Sequence, residues 1–211
     1  MNERIDQAVM GYARLEQRIA RHMPTFFMRL CARCGAEGRS CCRPDVGIEA
    51  IESWWFRTVS SHVHGRWWPN DYQETETCPA MGVDGCRLSV GRPLICSSFF
   101  CEKMIRATVD PWELVLFAFL SDLPGWTLQV GRRKNIALLE SADEADGVLW
   151  TQLASRIEQA AAMLNVAIEL AQPEIDLKRK QEITLRLICC NPRFMRPMVR
   201  RRMLELLDER K

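Results

Sequence analysis

The chain has 211 residues, enough to bury a sizeable core without help from disulfides. Basic residues number 29 and acidic residues 27, so the net charge of +2 gives no overall indication of a nucleic-acid-binding or acid-seeking surface. The first residues are charged throughout, which argues against a secretory signal, and no apolar run is long enough to span a bilayer. We therefore expect a soluble cytoplasmic protein whose ten cysteines stay reduced, and a dense set of cysteines in such a protein indicates a metal or redox site.

The first half of the chain alternates helical and irregular segments. Apolar residues recur at three- and four-residue steps over residues 3–22, which predicts an amphipathic helix. Residues 31–47 are rich in Cys, Gly, Arg and Pro without any period, which indicates a loop. Helical spacing returns over residues 47–63. Residues 65–101 hold prolines, glycines and four more cysteines, and we expect a loop fixed by metal there.

The second half predicts a buried helix, a hairpin and further helices. Asp110 can cap and Pro111 can open a helix whose apolar sequence, WELVLFAFLSDL, ends before Pro124. Residues 126–140 carry alternating apolar residues on both sides of a polar turn, which is typical of a β-hairpin. Helical periods follow over residues 143–171, 174–190 and 195–209.

These elements predict a mainly α fold with irregular metal-bound loops and one small β-hairpin, in which a cysteine-cluster domain is followed by C-terminal helices. Residues 1–110 would form the metal-binding domain together with the N-terminal helix. Residues 111–211 would form the hairpin and the helical region, either as a separate part or within the same compact domain.

Eight of the ten cysteines lie in one stretch of the first half, and we take them as candidate metal ligands. They are Cys31, Cys34, Cys41, Cys42, Cys78, Cys86, Cys96 and Cys101. Neighbouring side chains such as Cys41 and Cys42 diverge, so they are more easily accommodated by different metal atoms than by one tetrahedral ion. One zinc ion cannot use eight thiolates. An iron–sulfur cluster is the favoured cofactor, and two four-cysteine zinc sites are the alternative.

Two segments carry these cysteines in a fixed order, CARCGAEGRSCC and CPAMGVDGCRLSVGRPLICSSFFC. Together they resemble the YkgJ-like cysteine-cluster family of zinc- or iron-chelating domains, over roughly residues 28–105. The matching positions are the eight cysteines with Pro79, Gly85, Arg92 and Pro93. The resemblance implies that the eight cysteines chelate the metal.

Arg92 is the candidate cofactor-binding residue outside the cysteines. Its guanidinium, like nearby glycine amides, could donate hydrogen bonds to ligand sulfurs and tune the potential of the centre. A surface salt bridge is the equal alternative. Cys189 and Cys190 lie far from the cluster at a predicted helix end, where we expect them to pack. The arginines of the last helix are expected to form a solvated face.

The sequence favours a metal-binding protein that serves electron transfer, metal handling or maturation of a partner protein. An alternative is a cluster-dependent enzyme that modifies a protein substrate, because flagellin lysine N-methylases carry a similar cysteine domain. A structural-zinc interaction module is the third hypothesis. Motifs for nucleotide binding or hydrolysis are missing, so no catalytic residue is assigned. We expect a protein partner, and neither a membrane nor a nucleic acid.

Overall fold

The computed structural model describes residues 3–23, 25–37, 53–64, 81–82, 85–86, 88, 90–92, 94, 96, 102–131, 134–191 and 195–208. Four of the predicted metal ligands, Cys41, Cys42, Cys78 and Cys101, lie outside these residues, and for Cys86 the backbone alone is described. Most of the two predicted metal-bound loops also lies outside them.

The described chain is mainly helical, which confirms the predicted fold class in its coarse form. The α-helices are α1 (Glu3–His22), α2 (Thr25–Ala36), α3 (Trp54–His64), α4 (Glu102–Ala107), α5 (Pro111–Leu128), α6 (Gly147–Ala167), α7 (Leu177–Cys190) and α8 (Pro197–Asp208). The strands are two residues each: β1 (Met81–Gly82), β2 (Gly85–Cys86), β3 (Gln129–Val130) and β4 (Lys134–Asn135). Short 3-10 turns follow at Ile136–Leu138, Ala142–Glu144 and Ile168–Ala171.

The described chain has two large hydrophobic cores, which are connected by helices that contribute to both. The first surrounds α5, which is apolar on every side and buried along nearly its whole length. The second lies between α1, α3 and the start of α6, with Trp55 and Val59 fully buried. Helices α1 and α6 pack against each other and contribute buried residues to both cores. The predicted regions 1–110 and 111–211 therefore share buried contacts, and the division between them stays a prediction.

The loop predicted over residues 31–47 is wrong at its start, because residues 31–36 belong to α2, and residues 38–47 lie outside the described part of the chain. Phe27 and Cys31, four residues apart on this helix, pack with Met104 and Phe117 in a third, smaller core. The rings of Phe27 and Phe117 stack with their centroids 3.7 Å apart. Packing against α4 and α5 thus outweighs the weak local helical signal of a glycine- and cysteine-rich segment.

The end predicted for the apolar helix is also wrong, because α5 continues through Pro124 to Leu128. A proline inside a helix removes one backbone donor, but the buried residues on both sides of Pro124 hold this turn in the core. The predicted hairpin is consequently reduced to β3 and β4, paired as Gln129 with Asn135 and Val130 with Lys134. A second short pairing, between β1 and β2, lies where no regular element was predicted. Within the described residues, no helix is long and apolar enough to cross a bilayer.

The capped start of α5 gives a direct test of the fold. Asp110 Oδ1 accepts hydrogen bonds from the backbone N–H groups of Trp112 and Glu113 at 2.7 and 3.2 Å, and Pro111 opens the helix. We expect Asp110→Ala to lower the free energy of unfolding by about 1 kcal/mol, measured by urea denaturation. Asp110→Asn keeps a capping oxygen and serves as the matched control. Equal losses in the two variants would contradict the capping role.

Candidate functional site

The C-x-x-C pair lies on a helix. Cys31 and Cys34 are three residues apart on α2, so their side chains share one face, and both are half-buried. Cys31 packs against the small core of Phe27, Met104 and Phe117. Two sulfur atoms are therefore presented together on a helix whose position is fixed by stacked aromatic rings.

A second cysteine segment lies against this helix. The β1–β2 pairing places Met81 opposite Cys86 and Gly82 opposite Gly85, and β2 packs against α2. The backbone of Cys86 consequently lies beside the helix that carries Cys31 and Cys34. These residues are more than 50 positions apart in the chain, so the fold, and not local spacing, brings the segments together.

A third segment approaches Cys34 from α4. The Lys103 ammonium donates a hydrogen bond to the Cys34 sulfur, with Nζ 3.7 Å from Sγ. Lys103 follows Cys101 by two positions. The chain immediately after the last predicted ligand therefore lies next to the C-x-x-C pair.

The segment that leads to Cys96 is anchored elsewhere, on the core between α1 and α3. Val90 is fully buried in that core, and Leu94 packs against it. Arg92 donates through Nε to the carbonyl of Leu88. Cys96 itself is half-buried.

The described geometry thus brings α2, β2 and the start of α4 together, and attaches the Cys96 segment to α1 and α3. Among the described side chains, no group of three or more His, Cys, Asp or Glu forms a metal-binding cluster. The eight-cysteine ligand set stays a prediction, as does the hydrogen bond from Arg92 to a ligand sulfur.

Glu16 is a functional candidate that the sequence reasoning missed. It lies on the buried stripe of α1, between Tyr12 and Ile19, and only 5% of its surface is exposed. Its Oε2 accepts a hydrogen bond from the backbone N–H of Gly91 at 2.5 Å, and its Oε1 accepts one from the Tyr12 hydroxyl at 3.3 Å. The signal was present in the sequence, since a glutamate occupies a position where the helical period calls for an apolar residue.

The environment of Glu16 favours the uncharged carboxyl. Burial raises its pKa from 4.5 to about 7, although the Gly91 amide, the Arg92 charge and the Tyr12 hydroxyl each act to lower it. Burial, followed by the charge of Glu16, raises the pKa of Tyr12 well above its ordinary value. A carboxyl that changes charge near neutral pH therefore holds the turn that precedes Cys96.

Gly91 is required at this turn for two reasons. Its φ angle is +74°, a backbone conformation that residues with a side chain rarely adopt. A Cβ atom placed there would also lie 3.0 Å from Cβ of Ser60 and 3.1 Å from the carbonyl oxygen of Phe56, both on α3. The close approach of the turn to α3, and its bond to α1, both depend on the absence of a side chain.

The remaining candidates have mixed outcomes. Trp55 is buried in the core beside Tyr12 and Trp150. Cys189 and Cys190 are exposed free thiols at the end of α7, so the prediction that they pack is wrong. On α8 the exposed arginines include Arg200 and Arg201, which fits the predicted solvated face.

Substitution of Gly91 tests the anchoring of the turn. We expect Gly91→Ala to destabilise the protein by about 2–4 kcal/mol, because the strain at positive φ adds to the clash with α3. Gly131→Ala is the matched control. Its φ is +66°, but among the described residues its Cβ would meet Gln152 Oε1 at 3.8 Å, an ordinary contact distance, so we expect a loss of about 1 kcal/mol. Urea denaturation measures both, and equal losses would contradict the close approach.

The buried carboxyl predicts a pH dependence of stability. A folded-state pKa above the unfolded value means that the native state binds more protons between pH 4.5 and 7, so stability falls as pH rises through this window. The fall due to Glu16 is on the order of 3 kcal/mol. We expect Glu16→Gln to remove it, and Glu158→Gln, at an exposed position of α6, to leave it unchanged. Urea denaturation from pH 4.5 to 8 measures the free energy of unfolding at each pH. If this free energy had the same pH dependence in the wild type and in Glu16→Gln, the assignment of the fall to Glu16 would be refuted.

Comparison with family models, with curated proteins and with solved structures finds no match to this chain.

Proposed function

We propose that this chain is a cytoplasmic metal-binding protein that holds an iron–sulfur cluster through its eight clustered cysteines, in the manner implied by its resemblance to the YkgJ-like family. Its role would be electron transfer, metal handling or maturation of a partner protein. The observation that supports the proposal most strongly is the approach of two distant parts of the chain to α2, the helix that carries Cys31 and Cys34. One is the backbone of β2, which includes Cys86, and the other is α4, which begins at the residue after Cys101 in the sequence.

The chemistry of the described donors fits such a group. Cysteine thiolates are the ordinary ligands of iron–sulfur clusters and also bind zinc. Cys31 and Cys34 share a helix face and are half-buried, so their sulfurs are reachable yet partly shielded from water. Lys103 supplies a positive charge beside Cys34, which offsets part of the negative charge that several thiolates bring together.

Different contacts in the chain would position the different cysteine-bearing segments around the cluster. The Phe27–Phe117 stack and the Glu16–Gly91 hydrogen bond hold the segments that bear the sulfurs. Packing of β2 on α2 brings the Cys86 backbone to the C-x-x-C helix. A bound cluster would supply one-electron redox chemistry. The adjacency of Cys41 and Cys42 favours a polynuclear group over a single zinc ion.

Metal analysis of anaerobically purified protein tests the proposal. We expect a brown protein with broad visible absorbance that contains iron and acid-labile sulfide, with EPR or Mössbauer spectra of an iron–sulfur cluster. A colourless protein that contains zinc alone would overturn the iron–sulfur proposal and support the structural-zinc alternative. Protein that retains no metal would overturn metal binding altogether.

Single substitutions test the ligand set. We expect Cys34→Ser and Cys42→Ser each to lose most of the bound metal and to destabilise the metal-loaded protein, because ligand loss removes binding energy that contributes to folding. Cys190→Ser, an exposed thiol outside the cluster, is the control and should keep wild-type metal content. Metal content is measured per chain by mass spectrometry, and wild-type content in Cys42→Ser would refute its assignment.

A further inference from the structure

We infer that Lys103 is a positioning residue of the metal centre, which donates a hydrogen bond to the Cys34 sulfur and stabilises the negatively charged thiolate-bound metal. This inference rests on the proposed metal-binding function. Its direct basis is the 3.7 Å separation between Lys103 Nζ and Cys34 Sγ. A lysine ammonium offers three N–H donors and a full positive charge. A metal-bound thiolate sulfur accepts hydrogen bonds from such a group, and is attracted to its charge, more strongly than a neutral thiol is.

The acidic residue next to Lys103 in the sequence pairs with a different cation. Glu102, the adjacent residue on α4, is paired with Arg106 at 2.5 Å, one turn along the same helix. In the part of the chain that the structure describes, Lys103 forms no ion pair with a carboxylate, and its recorded partner is the Cys34 sulfur. Among the described residues, the hydrogen-bond partner of the Lys103 ammonium is thus the cysteine sulfur and not an aspartate or glutamate.

Packing holds the backbones of the two residues together. Met104, next to Lys103, is buried against Phe27 and Phe117, and Ile105 is buried in the large core around α5. Phe27 belongs to the same helix as Cys34. Because α2 and α4 share this small core, the origin of the lysine side chain is fixed relative to the sulfur.

The sign of the effect follows from the charge. A positive group beside a sulfur ligand stabilises the more negative, reduced state of a redox centre and so raises its reduction potential. It also favours retention of the metal, because a positive charge offsets part of the negative charge that the thiolate ligands bring together. Lys103 is exposed, so water and salt weaken the interaction, and the effect should shrink as ionic strength rises.

The test compares Lys103→Met with Lys178→Met, which removes the same charge from an exposed position of α7. In Lys103→Met we expect a lower reduction potential, measured by spectroelectrochemistry, and about two- to fivefold faster metal loss to a chelator at low salt. Lys103→Arg keeps the positive charge and should show the wild-type reduction potential and the wild-type rate of metal loss. Because the side chain is exposed, thermal unfolding of the metal-free variant should match that of the wild type.

The outcomes separate this inference from the proposed function. If the wild type binds metal and the two methionine variants match in potential and in metal loss, the role of Lys103 is refuted while metal binding stands. If the wild type holds zinc, with no redox signal, the chelator experiment alone decides, and equal rates of zinc loss again refute the role. If the wild type binds no metal, the proposed function fails, and this inference fails with it.

Discussion

The hydrogen bond from the Gly91 amide to the buried Glu16 carboxyl is the constraint on which the placement of the later cysteine segment depends. Helix α1, like α6, contributes buried residues to both large cores. The hydrogen bond at Gly91 attaches the described residues 90–92 to this helix. The attachment requires burial of an ionisable group, which is costly unless donors surround it. The Gly91 amide, the Tyr12 hydroxyl and the nearby charge of Arg92 provide that compensation.

A separate constraint places the earlier cysteine segment. The stacked rings of Phe27 and Phe117 join α2 to α5, and Met104 adds α4 to the same small core. The two halves of the cysteine motif are therefore attached to the helical frame by different chemistry, a polar anchor for one and an aromatic anchor for the other. The polar anchor involves no cysteine, whereas the aromatic anchor includes Cys31, which packs against the Phe27–Phe117 pair.

The sequence correctly predicted the structural features that are determined by interactions between residues close together in the chain. The helical period located α1, and the Asp110–Pro111 pair located the start of α5, because capping and amphipathic spacing act within a few residues. The expectations that failed, the loop from residue 31 and the helix end before Pro124, concern segments held by packing from distant elements. The Glu16–Gly91 and Lys103–Cys34 contacts join residues 75 and 69 positions apart. No single-sequence pattern encodes such a pairing, although the misplaced glutamate of α1 was visible as an anomaly.

Arg92 and Lys103 both lie near cysteine segments, but their side chains make different contacts. From the sequence, Arg92 was equally a candidate donor to the ligand sulfurs and a candidate surface salt-bridge residue. In the structure its Nε donates a hydrogen bond to the Leu88 carbonyl, and its charge acts to lower the pKa of buried Glu16. Arg92 thus serves the anchor of the turn. Lys103, which no motif singled out, instead has a cysteine sulfur as its recorded partner and lies outside the buried polar cluster. Arg92 donates its Nε hydrogen bond to a backbone carbonyl of its own turn, whereas Lys103 donates to a cysteine sulfur. Of the two, Lys103 therefore has the contact that the proposed metal centre would require.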